Sequence, residues 1–133
     1  MLMNLEMMFR LFLAAGLGGS IGYQRTKAGK AAGWRTHILI CLGAAMFTIT
    51  SHYGFGGIAD PSRIAAGIVA GVGFLGAGAI IRREEGLIAG LTTAATIWIV
   101  AAIGLGAGAG LYLVTITTTA ITLVVLFLPH RLD

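Results

Sequence analysis

Arg63-Ile-Ala-Ala-Gly-Ile-Val-Ala-Gly-Val-Gly-Phe-Leu-Gly-Ala-Gly-Ala-Ile-Ile-Arg-Arg83 sets about 18 consecutive uncharged residues between charged clusters, enough to cross a bilayer as a helix. On a helix, Ala66, Ala70, Gly73 and Ala77 share one face, and Gly67, Gly71 and Gly78 share a neighbouring one. Small faces admit close neighbours, so Gly67, Gly71, Gly73, Gly76 and Gly78 are expected to serve helix packing or self-association. The bulk falls on a third stripe, Ile64, Ile68, Val72 and Leu75, which reads as the side turned toward lipid or toward large side chains of a bundle. Gly71 to Gly76 also spells GxGxxG, but the acid required about 20 residues further on is missing. A nucleotide site is therefore not expected.

The rest of the chain has the same character. Of 133 residues, 57% are hydrophobic and only 11% charged, against about 25% charged in soluble domains. With a mean hydropathy of +0.92 the expectation is an all-α integral membrane protein, one domain over residues 1–133. Five spans are expected, over about 5–23, 36–53, 64–81, 90–103 and 111–128. The single cysteine, Cys41, excludes an internal disulfide framework.

Charge sets the orientation. Arg25, Lys27, Lys30 and Arg35 lie in the first connection, and Arg82, Arg83, Glu84 and Glu85 in the third. By the positive-inside rule these are cytoplasmic, which places the N-terminus out and the C-terminus, with Arg131, in. The net charge of +4 belongs to this pattern and implies lipid headgroups, with no nucleic-acid partner expected.

Several polar residues invite a role. Glu6 and Arg10 sit i, i+4 and are expected to form a local ion pair at the membrane edge. His37, Cys41, Ala44, Thr48 and Ser51 make one stripe, and His37 with Cys41 is half of a metal set. Two ligands are too few for structural zinc, so hydrogen-bonded packing is the reading. Asp60, before Pro61, is placed to accept from the first amides of the third helix, with Arg63 as an interface anchor. Gly104, Gly106, Gly108 and Gly110 read as a flexible outer connection. Thr115, Thr118, Thr119 and Thr122 form a hydroxyl stripe whose members can bond back to the i−4 carbonyls. No catalytic constellation is apparent, so neither enzyme activity nor a cofactor is expected.

Taken together, Ala32-Gly-Trp-Arg-Thr36, Asp60-Pro-Ser-Arg-Ile64, Gly71-Val-Gly-Phe-Leu-Gly-Ala-Gly78, Gly90-Leu-Thr-Thr-Ala-Ala-Thr-Ile-Trp98 and Ala101-Ala-Ile-Gly104 resemble the MgtC/SapB family of bacterial inner-membrane proteins. The resemblance covers the membrane domain alone, in the short SapB-like form. It implies a multi-pass inner-membrane protein connected with magnesium or acid stress that regulates partner membrane proteins such as the proton-translocating ATP synthase. A homo-oligomer, specifically a dimer, is expected. The alternative is a transporter or channel for Mg²⁺, another cation or a small solute. Candidate functional residues are Arg35, Thr36, His37, Asp60, Arg63, Arg82, Thr92 and Thr93. The chain departs from the family pattern at Gln24, where an acid is frequent, and at Gly67, where glutamine is.

Overall fold

The computed structural model describes residues 1–82, 86 and 88–128, with the backbone alone at Ile81 and Arg82. Five helices follow in order: α1 (Leu2–Lys27), α2 (Trp34–Tyr53), α3 (Ser62–Ala79), α4 (Leu91–Gly108) and α5 (Tyr112–Leu126). Between α3 and α4 the two-residue strands β1 (Ile81–Arg82) and β2 (Ile88–Ala89) pair antiparallel, Ile81 opposite Ala89. Gly90 then opens α4 at φ +91°, where a Cβ would lie 2.2 Å from the Ala79 carbonyl oxygen. Only glycine meets both demands.

This is an all-α membrane bundle. Helices α1, α3 and α4 are long and apolar enough to cross a membrane. Helix α2 runs from Trp34 to Tyr53, 20 residues or about 28 Å, close to the roughly 30 Å of a bilayer's hydrocarbon. Aromatic side chains mark both ends. Tyr23 stacks edge-on against Trp34 at 5.7 Å, and at the opposite end Phe9 meets Tyr112 at 5.5 Å. Phe12, Phe74 and Leu113 are exposed, a cost in water that lipid removes.

The central element is α4, which touches every other helix. Over its spanning window 56% of residues are buried, against 11% for α3. Two apolar clusters meet on it. One joins Ala14 and Ile21 of α1 to Cys41 and Ala45 of α2 and to Val100, Ile103 and Ala107 of α4. The other joins Ala44 of α2, Ile68 and Val72 of α3, and Ile97 and Ala101 of α4.

Glycine contacts explain this arrangement. A Cβ on Gly104 would stand 2.2 Å from the Cys41 carbonyl oxygen, and one on Gly108 2.6 Å from that of Ala45. Gly18 and Gly22 bring α1 equally close to His37, Cys41 and Trp34, while Gly106 turns toward Thr115 of α5. Glycines 104, 106 and 108 are thus helical and packed, contrary to the flexible connection expected of them. Low propensity describes an isolated helix; contact with neighbours on two sides reverses it. The connection is reduced to a turn around Gly110 at φ +85°.

Helix α3 decides which of the two, lipid or bundle, its bulky stripe meets. Its buried residues are Ile68, Val72 and Gly76, so the middle of the bulky stripe packs against the bundle while Leu75 stays exposed. Around Gly67, Gly71, Gly73 and Gly78 a Cβ would meet nothing within 4 Å, whereas Gly76 approaches Ala94 at 3.6–3.9 Å. Within one chain, the small faces of α3 are open.

Overpacking a close helix contact costs about 1–3 kcal/mol. Gly104→Ala is therefore expected to lower the unfolding temperature in detergent, while Gly78→Ala leaves it unchanged. Equal responses in a thermal-shift measurement would remove α4 from the centre.

Candidate functional site

Polar groups inside a membrane bundle must find partners among themselves, and here they gather at its two ends. At the end carrying the basic connection, the last turns of α1 supply Arg25, the first turn of α2 supplies His37, and the start of α4 supplies Thr93 and Thr96. Arg25 is 3% exposed and His37 fully buried. The Arg25 guanidinium donates to the Thr93 hydroxyl and, at 3.2 Å, to the Ala31 carbonyl. Both nitrogens of His37 are engaged, Nδ1 with the Gly33 carbonyl at 2.9 Å and Nε2 with Thr96 Oγ1 at 3.0 Å.

Proton counting gives this cluster two states. A carbonyl only accepts, so His37 Nδ1 carries a proton. Thr96 has one hydroxyl proton and two acceptors in reach, His37 Nε2 and the Thr93 carbonyl at 2.8 Å. With a neutral ring the hydroxyl turns to Nε2. With a protonated ring Nε2 donates and the hydroxyl turns to Thr93. The hydrogen bonds can be satisfied in either state, while full burial close to the Arg25 guanidinium opposes the charged one.

At the other end Arg10, 7% exposed, ties four helices together. Its Nη2 pairs with Glu6 at 2.8 Å, and its Nε donates to the Tyr112 hydroxyl at 3.1 Å. Its Nη1 donates to the Gly108 carbonyl at 2.9 Å and the Tyr53 hydroxyl at 3.3 Å. Tyr112 in turn donates to Glu6 at 3.0 Å. The Glu6–Arg10 pair is present, and it is more than local: Gly108 is the last residue of α4, where helix carbonyls favour a cation.

Of the candidate residues, the structure joins His37 and Thr93. Arg35 and Thr36 stand exposed on the outer side of the same turn, and Thr92 is half-buried beside the cluster. Asp60 and Arg63 lie at the opposite end. Asp60 accepts from the Ser62 amide at 3.0 Å and hydroxyl at 2.7 Å, which hold its carboxyl below the usual carboxylate range. The side chain of Arg82, and all of Arg83, Glu84, Glu85 and Arg131, lie outside the described residues. Among the described residues no three of His, Cys, Asp and Glu come together as a metal set. Arg25, Thr96, Tyr53 and Tyr112 join the two clusters without having stood out as candidates.

Residues 11–133 match the family model described as the MgtC family. The chain belongs to the MgtC family. Among its MgtC-type relatives, "Putative magnesium transporter YhiD" of Escherichia coli K12 is 49% identical over 98% of this chain and 63% of its own length. Protein SrpB of Synechococcus elongatus is 43% identical over 75% of this chain and 62% of its own. Protein MgtC of Brucella abortus is 49% identical over 66% of this chain and 36% of its own. The chain thus spans less than two thirds of these relatives' lengths. No solved structure matches it. Of the two departures from the family pattern, Gln24 adjoins Arg25 of the buried cluster and Gly67 faces open space on α3.

Removing a buried acceptor from a charged donor costs about 1–3 kcal/mol. Thr93→Val is expected to destabilise the bundle by that amount and Thr93→Ser to leave it near wild type, read as unfolding midpoints in detergent. A valine variant as stable as the serine one would show that Arg25 does not depend on Thr93.

Proposed function

We propose that this chain is a regulatory component of the bacterial inner membrane, acting by helix contact on a partner membrane protein under magnesium or acid stress. It crosses five times, with the N-terminus out and the basic connection in. A partner membrane protein such as the proton-translocating ATP synthase is what the resemblance implies. The observation that carries this reading is the closed centre. Helices α1, α2 and α4 meet at backbone contact through Gly18, Gly22, Gly104 and Gly108. Magnesium keeps several waters in an octahedral shell and needs carboxylate or phosphate oxygens, so it has no passage between those helices. The threonine stripe of α5 supports the same reading. Thr115, Thr118, Thr119 and Thr122 each donate to the carbonyl four residues earlier, which leaves no row of free hydroxyls for a pore.

What remains available for function is the outside. The stripe Ala66, Ala70, Gly73 and Ala77 points away from α4 and is exposed, and it is the face we assign to a second copy in a dimer. The name of the Escherichia coli relative favours a second reading, magnesium transport by this chain itself.

The two readings separate in liposomes. Reconstituted protein is expected to pass no Mg²⁺ beyond empty vesicles, and a photo-crosslinker at Ala70 is expected to capture a second copy or one defined membrane protein. Flux that Gly73→Val abolishes in a folded protein would establish transport instead.

A further inference from the structure

Helices α2 and α3 are tied together at their outer ends, where Ser51 Oγ donates to the Pro61 carbonyl at 2.8 Å. Beyond that tie both lean on α4 and leave between them an open groove of about 800 Å³. Leu39 and Phe47 line the α2 wall, and Ile64, Ile68, Val72 and Leu75 the α3 wall. Gly43, Gly67 and Gly71 keep the groove wide, because a Cβ on any of them would meet nothing within 4 Å. The lining contains one charged residue, Arg63, exposed at the mouth.

We propose that this groove holds one acyl chain of an anionic phospholipid whose phosphate is bound by Arg63. Length decides against a helix as occupant. From Arg63 to Leu75 α3 rises about 18 Å, somewhat more than half the roughly 30 Å hydrocarbon core, which suits one leaflet and one acyl chain. A membrane-spanning helix, at about 30 Å, would run well past it. Charge decides the headgroup. The nearest acid in sequence, Asp60, turns to Ser62, and among the described residues no acid pairs with Arg63. A guanidinium at the edge of the hydrocarbon matches phosphate oxygens bidentately, and a headgroup without a cation of its own leaves that phosphate uncompensated for Arg63 to neutralise. The apolar wall supplies the rest of the affinity and makes no demand on chain identity, so selectivity resides in the headgroup. This site is independent of whether the protein regulates or transports.

Native mass spectrometry of the full chain, delipidated in detergent and titrated with phosphatidylglycerol or phosphatidylcholine, tests the assignment. One phosphatidylglycerol is expected per chain, bound about tenfold more tightly than phosphatidylcholine. Arg63→Ala should abolish that preference and Arg63→Lys retain part of it. Gly71→Phe, or Gly67→Leu if the first does not fold, should weaken both lipids by filling the groove. Equal binding of the two lipids by the wild type, or a preference unchanged by Arg63→Ala, would overturn the headgroup assignment. Lipid binding untouched by a folded groove-filling variant would overturn the acyl site, as would a dimer that only the groove-filling variant dissolves.

Discussion

Backbone contact between α1, α2 and α4 is the constraint on which the rest of this structure depends. Apolar helices in lipid gain little from burying apolar surface against each other, because lipid solvates them as well. Association must come from close packing, and close packing requires that side chains be absent where axes approach. Gly18, Gly22, Gly104 and Gly108 are those absences. Around them Ala14, Cys41, Ala45 and Ala107 are small enough to continue the contact, and Ile21, Val100 and Ile103 fill what remains. Helices α3 and α5 then attach to an already closed unit, α3 through Ile68 and Val72 and α5 through Thr115 and Thr119.

The two buried arginines follow from the same contact. A tight interface brings the ends of three helices together, along with the carbonyls and hydroxyls that finish each helix. Arg10 collects such groups from α2, α4 and α5, and Arg25 from α4 and from the connection that follows α1. Each guanidinium has several donors in a fixed plane, so each satisfies several helix ends at once. About 22 Å of α1 separates the two clusters, the length of 15 residues. They brace the apolar contact from both ends of the bundle.

Much of this was legible in the sequence. The number of helices, the membrane character and the buried stripe His37, Cys41, Ala44, Thr48 and Ser51 follow from period and charge, and the stripe is buried at every position. Three things were harder to read. The central place of α4 was hidden because its glycines argue against an isolated helix, and only neighbours fix them. The neighbours of α3 stayed open because small residues can line an interface within the chain or one outside it, and the alternation is the same for both. Arg10 looked like half of a local ion pair and Arg25 like a topology marker. Yet Arg10, Ala14, Gly18, Gly22 and Arg25 fall on one face of α1, and a charge in phase with a small-residue stripe belongs to the packed side. That signal was in the spacing.

Cys41 offers the most direct test of the closed centre, since it is the chain's one cysteine and lies fully buried where α1, α2 and α4 meet. The measurement is its reaction with a water-soluble maleimide in native membranes, compared with a Cys41→Ser protein carrying a cysteine at Gly29 in the exposed connection. The account predicts rapid modification at position 29 and none at Cys41 until the protein is denatured. Modification of native Cys41 at a rate near that of the exposed control would mean that water reaches the middle of the bundle, and would contradict it.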